Sequence, residues 1–171
     1  KYVGDVTNAV RIFNDKEVDE LIILDIDASR NGSKPNLAMI EELAGEAFVP
    51  ITYGGGITSV RDAQSIFRLG IEKIALQTAV IERPALIREL SGAYGSSAVV
   101  VSLDIRKPSL RAPQLVYRNA GRKARYGWIE FMKIAQTMGA GELLIQSVDN
   151  DGMMTGLDLE LIREAARHAS V

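Results

Sequence analysis

Five aspartates stand at or just beyond the ends of short apolar runs: Asp25 and Asp27 with Leu21–Ile26, Asp104 after Ala98–Leu103, and Asp149 and Asp151 after Leu143–Gln146. Carboxylates gathered in one place raise one another's pKa, which suits them to general acid and base work. Helix capping and loop solvation are the ordinary alternatives. They suit Asp27 and Asp149 better than Asp104, which closes the most apolar run in the chain, Ala-Val-Val-Val-Ser-Leu. A second feature is Thr52-Tyr53-Gly54-Gly55-Gly56-Ile57, where an apolar run opens into a loop ahead of a helix. Glycines let successive backbone N–H groups approach an anion, and phosphate is the natural ligand; a tight turn is the plainer reading. A third feature lies at the opposite ends of the runs, where Asp19-Glu20, Glu72-Lys73 and Glu142 stand immediately before them. Structural ion pairing is the ordinary reading of such a ring, and an interaction surface or a controlled pore is the sharper one.

These side chains need elements to position them. Short Ile-, Val- and Leu-rich runs recur at Leu21–Ile26, Ile51–Tyr53, Lys73–Leu76, Ala98–Leu103 and Leu143–Gln146. Each is too short for a buried helix and too continuously apolar for a half-exposed antiparallel strand, so parallel strands buried on both faces are expected. Amphipathic stretches at Thr7–Lys16, Leu37–Ala47, Val60–Leu69, Pro84–Ala93, Trp128–Met138 and Asp158–His168 alternate with them and read as helices. Ser59 is placed to cap the third of these and Gly70 to stop it. The alternation predicts an α/β fold with a parallel sheet, either doubly wound or closed into a (β/α)8 barrel. Residues 105–126, with Pro108, Pro113 and Asn119-Ala120-Gly121, read as a loop carrying a short hairpin. Val18–Asp27 and Ala140–Asp149 align without gaps 122 residues apart, the spacing of about four βα units. Half-barrel duplication accounts for that, as does chance similarity between two buried strands.

Composition removes whole classes of chemistry. The chain of 171 residues has no cysteine and a single histidine, His168, so Cys/His zinc sites and thiol nucleophiles are out and a Ser-His-Asp triad is improbable. No metal or cofactor is expected. Twenty Lys and Arg against 22 Asp and Glu give a net charge of −2, read as evenly spread, with no basic stripe for nucleic acid or anionic lipid. No apolar run approaches 18 residues, and the start is neither a signal nor a transit peptide. A single cytoplasmic domain, residues 1–171, is therefore expected. A start without Met and an end in mid-pattern suggest a piece of something longer, since a full barrel needs roughly 200 or more residues.

The ordered set of motifs resembles the cyclase subunit of imidazole glycerol phosphate synthase. It comprises Gly4-Asp5, Asp19-Glu20-Leu21, Leu24-Asp25-Ile26 with Ala28-Ser29, Gly54–Ile57, Lys73, Thr78-Ala79, Gly95-Ser96, Asp104, Gly139–Glu142 and Asp149-Asn150-Asp151-Gly152. The resemblance implies a (β/α)8 barrel of which this chain carries strands two to six, without the first strand and the last two. It implies an ammonia-using lyase of histidine biosynthesis, in complex with a glutaminase subunit docked at the strand N-terminal face. Asp104 matches one of the family's two catalytic aspartates; the first-strand partner has no counterpart here. A bis-phosphate substrate would meet Gly55, Gly56, Gln77 and Thr78 at one phosphate and Asp151 and Gly152 at the other, with Asp25 beside them. Glu20, Glu72, Lys73 and Glu142 match the ammonia entrance. Tyr53, Asp27, Gln77, Gln146 and Met153-Met154 depart from the family pattern, which keeps open a paralogue that amidinates a nucleotide sugar for surface polysaccharide. A non-catalytic scaffold is the remaining alternative.

Overall fold

The computed structural model describes residues 5–109 and 111–171, so Gly4 of the first motif lies outside the described residues. The chain divides into two compact units, Lys1–Ala75 and Leu76–Val171. The first contains α1 (Val6–Asp15), β1 (Leu21–Leu24), α2 (Ile26–Asn31), α3 (Leu37–Glu46), β2 (Ile51–Gly54), α4 (Val60–Phe67) and most of β3 (Lys73–Leu76). Its strands pair in parallel, with Leu21 opposite Ile51 and Thr52 opposite Lys73. Capping explains the helix starts. Ser59 accepts from the Asp62 N–H as expected, and Asn36 accepts from the Met39 N–H. Gly70, at φ +94°, ends the turn after α4. Ile40, Leu43, Tyr53, Ile66 and Ile74 are fully buried and make the core of this unit. Lys34 fastens the loop after α2 to the start of α4, its Nζ lying 2.9 Å from both oxygens of Asp62. That contact helps to hold the Asp62 carboxyl down at about 2, against the opposing effect of burial.

The second unit contains α5 (Thr78–Glu82), α6 (Ala85–Tyr94), a 3-10 turn at Ser96–Ala98, β4 (Val99–Arg106), β5 (Gln114–Tyr117), β6 (Arg122–Lys123), α7 (Trp128–Thr137), β7 (Glu142–Ser147) and α8 (Leu159–Ala166). β4 pairs in parallel with β7 and, at its C-terminal end, antiparallel with β5, which pairs with β6. The core is Val99, Val101, Leu103 and Ile105 of β4 against Leu86, Ile87 and Leu90 of α6 and Phe131 of α7. Each such side chain contributes about 2 kcal/mol by leaving water. The hairpin within residues 105–126 is present, and β4 runs three residues further than its apolar run because Asp104–Arg106 bonds to β5. Parallel pairing therefore dominates an α/β fold, and no described helix is long and apolar enough to cross a membrane.

Three expectations need correction. The run Leu21–Ile26 is a strand only to Leu24, because Asp25 caps α2 and Ile26 is already helical. The helices α2 and α5 were absent from the sequence reading, being too short to show a helical period. Nor are all strands buried on both faces. β2 is fully buried, yet Ile22 and Leu24 of β1 are 46% and 41% exposed and β7 is only half-buried throughout. Among the described residues β1 pairs only with β2 and β7 only with β4, so each has a side with no strand against it.

Candidate functional site

In the second unit the parallel register puts Asp104 opposite Gln146, near the C-terminal ends of β4 and β7. The Gln146 amide donates to Asp151 at 2.9 Å. Gln77, the residue before α5, faces Asp104 with its own amide. Asp104 is half-buried, and burial pushes its carboxyl above the ordinary range; the Gln77 amide opposes that rise and the charge of Asp151 adds to it. The arrangement is a half-buried carboxyl near the C-terminal end of β4 that holds its proton more tightly than usual, bonded by the Gln77 amide and facing the charge of Asp151. A carboxyl that holds its proton more tightly than an exposed aspartate is suited to passing that proton to and from a substrate. The Thr78 hydroxyl close by in sequence is buried without a hydrogen-bond partner among the described residues.

The loops around this cluster are tied down by Lys107. Its backbone N–H donates to Asp149 at 2.6 Å, and its Nζ reaches Asp158 at 2.9 Å and Glu160 at 3.2 Å. Asp149 thus serves the backbone, and Asp158 also caps α8 by accepting from the Leu161 N–H. A pocket of about 280 Å³ opens beside β7, lined by Gln146, Asn150, Asp151, Gly152, Leu157 and Asp158 among others. Asp151 and Gly152, expected at a phosphate, both line it. Sequence reasoning missed Lys107 as a site residue and took Gln146 only as a departure from the family pattern. The available signals were an amide closing an otherwise apolar run and a cation three positions after Asp104.

In the first unit Asp25 is half-buried at the end of β1, where it caps α2 by accepting from the Ala28 N–H at 2.9 Å. The fully buried Tyr53 makes a long 3.4 Å hydroxyl contact to the same carboxylate, and burial with that negative neighbour pushes the phenol far up. Gly55 and Gly56 have φ of +130° and +69°. A Cβ on Gly55 would stand 2.5 Å from the Asp25 carbonyl oxygen, and one on Gly56 would stand 2.6 Å from that of Ser33. The glycines are thus required where two stretches of backbone cross. Asp27 lies exposed in the first turn of α2.

At the other end of the same strands Lys73 Nζ lies 2.9 Å from Glu20 Oε2, while Thr52 donates to Glu20 Oε1 at 2.7 Å. Burial raises the Glu20 carboxyl, but the bonds from Thr52 and Lys73 outweigh it and leave the carboxyl below its ordinary value. Glu72 turns instead to the backbone, accepting from the Ile51 N–H at 2.8 Å. Asp19 is exposed, and Glu142 is half-buried at the start of β7. Among the described residues no three His, Cys, Asp or Glu side chains gather as metal ligands.

The whole chain, residues 1–171, matches the family described as Histidine biosynthesis protein. The chain belongs to that family. A Pseudomonas aeruginosa protein provisionally named imidazole glycerol phosphate synthase subunit hisF2 is 44% identical over 171 residues, all of this chain and 68% of that protein. A Vibrio vulnificus protein provisionally named subunit hisF3 is 45% identical over 163 residues, 95% of this chain and 63% of its own length. The Chlorobium phaeobacteroides imidazole glycerol phosphate synthase subunit HisF is 37% identical over 162 residues, 94% and 64% of the two. This member of the histidine biosynthesis protein family thus spans about two thirds of the length of these relatives.

Proposed function

We propose that the protein is the cyclase subunit of an imidazole glycerol phosphate synthase, an ammonia-using lyase working in the cytoplasm. The observation that carries this reading is Asp104, a half-buried carboxyl near the C-terminal end of β4 that the Gln77 amide bonds, opposite Gln146 in the register, with its pKa raised by burial. The family and the names of its relatives supply the reaction. Ammonia condenses at a carbonyl of a bis-phosphate precursor with loss of water, the imidazole ring closes, and cleavage of a C–N bond separates imidazole glycerol phosphate from an aminoimidazole carboxamide ribonucleotide. Asp104 moves the proton at the closing ring; Gln77 orients it and Gln146 holds Asp151. Asp151 and Gly152 stand at one phosphate; the Gly55-Gly56 loop and the buried Thr78 hydroxyl are assigned to phosphate recognition as well. The second acid of the family's pair has no counterpart in these 171 residues. The barrel reading is supported by the parallel pairing of β1 with β2, β2 with β3 and β4 with β7 in alternation with helices.

Glu20 and Lys73 form the ammonia entrance in this reading, at strand N-termini where a glutaminase subunit docks; Glu72 lies beside them, and Glu142 starts β7 in the second unit. An ion pair this accessible contributes on the order of 0–1 kcal/mol, so stability is a weak reason for it. Exclusion of water is a better one, because ammonia in bulk water is protonated. Lys73→Met in the full protein is expected to alter glutamine-dependent turnover and leave turnover with ammonium salts nearly intact. Equal loss of both would remove the entrance role. One observation favours the nucleotide-sugar paralogue as a second reading: Tyr53, an unusual residue before the glycines, contacts Asp25 and so changes the site itself.

A further inference from the structure

The charges are not evenly spread, contrary to the sequence reading. Residues 105–129 hold seven Lys and Arg and no Asp or Glu, in a chain whose net charge is −2. Two of the seven are neutralised from elsewhere in the unit, Lys107 by Asp158 and Glu160 and Arg118 by Glu82. Arg111, Lys123 and Arg125 have no carboxylate within ion-pair distance among the described residues, and all three line one pocket of about 400 Å³ with Gln114 and Tyr126. Like charges held together cost stability unless something anionic joins them.

Arg125 is preorganised. Its guanidinium lies 4.7 Å from the Tyr126 ring centroid and bonds the Tyr126 hydroxyl, and that ring rests 5.4 Å from the ring of buried Phe131. The register fixes the side of the sheet from which the pocket's strand residues, Lys123 and Gln114, project. Asp104 is opposite Val116 and Val116 is opposite Lys123, so all three project from one face of the sheet. Two strand spacings put Lys123 roughly 10 Å from Asp104. Gln114, two residues before Val116, is on that face too.

We infer that Arg111, Lys123 and Arg125 form an anion site on the hairpin that takes a diphosphate group, free or as an ester, on the same sheet face as Asp104. Three cations exceed what a single phosphate needs, and an arginine fork matches two oxygens of one phosphoryl group while a lysine serves the next. The size suits a small molecule better than a polymer, and an overall negative chain disfavours nucleic acid. The inference goes beyond the ring-closing reading and stands without it. Its test is calorimetric titration of the full protein with inorganic pyrophosphate, ADP and orthophosphate at low salt, for wild type, Lys123→Gln and Arg125→Gln. These side chains are exposed, so the variants fold; circular dichroism checks that. Pyrophosphate or ADP is expected to bind more tightly than orthophosphate and to weaken roughly tenfold or more in each variant. Tighter ADP than pyrophosphate assigns the ester, and the reverse assigns the free anion. No saturable binding, or binding unchanged in both variants, overturns the site. Stronger binding of a single-stranded oligonucleotide than of either diphosphate also overturns it.

Discussion

Asp104→Asn in the full protein is expected to lower turnover by roughly 10²–10⁴-fold, the usual worth of a positioned acid or base. Asn keeps the size of Asp104 and can still bond Gln77, so the fold is retained. The same change carries a stability signature with the opposite sign. Burial raises the folded-state pKa of Asp104, so the native state binds the proton more tightly than the unfolded chain. The stability associated with that proton is fully present below the ordinary aspartate range. It is lost as pH rises through the raised folded value. Asn is neutral throughout, so the variant is expected to melt at or above wild type at pH 7, with the advantage shrinking at acid pH. Turnover assays and thermal melts from pH 3 to 8 read both effects. Normal turnover of the variant would remove the catalytic role, and a variant both inactive and less stable at pH 7 would make Asp104 a structural residue.

The second large effect belongs to the loop after β2. Gly55→Ala places a methyl group 2.5 Å from the Asp25 carbonyl oxygen, at a φ of +130° that side chains rarely adopt. Backbone strain and overpacking together cost about 3 kcal/mol, which lowers Tm by roughly 10 °C in a chain of this size. Gly45→Ala is the internal contrast. It lies within α3 with nothing near its Cβ position, and alanine there is worth about 0.5–1 kcal/mol in the stabilising direction. Differential scanning calorimetry of the two variants should move Tm in opposite directions. A Gly55→Ala protein as stable as wild type would show that the chains do not cross so closely there.

That contrast shows where sequence reading reached and where it stopped. The centres of β1, β2, β3, β4 and β7 follow from runs of Ile, Val and Leu, and Ser59 and Gly70 mark the ends of α4 because capping and left-handed turns are local chemistry. Asp25 is legible as a strand-end acid but not as the cap that stops β1 two residues early. Whether a carboxylate stays in solvent or turns to bond an N–H depends on the backbone that follows. The glycines read as an anion cradle, while their crossing with Asp25 and Ser33 joins segments more than twenty residues apart and leaves no local trace. Asp104 was visible from its run of apolar neighbours. Its pairing with Gln146 was not, because that depends on the register of β4 against β7. Net charge likewise concealed the cations of the hairpin, since acids elsewhere in the chain cancel them in the sum.

The most direct test of the central claim is ring closure with free ammonia. The full protein, without any glutaminase, is incubated at alkaline pH with an ammonium salt and the bis-phosphate imidazole precursor, and imidazole glycerol phosphate is followed by chromatography. The account predicts steady formation of imidazole glycerol phosphate and an equal amount of the aminoimidazole carboxamide ribonucleotide. A folded protein that consumes none of the precursor under these conditions would contradict it.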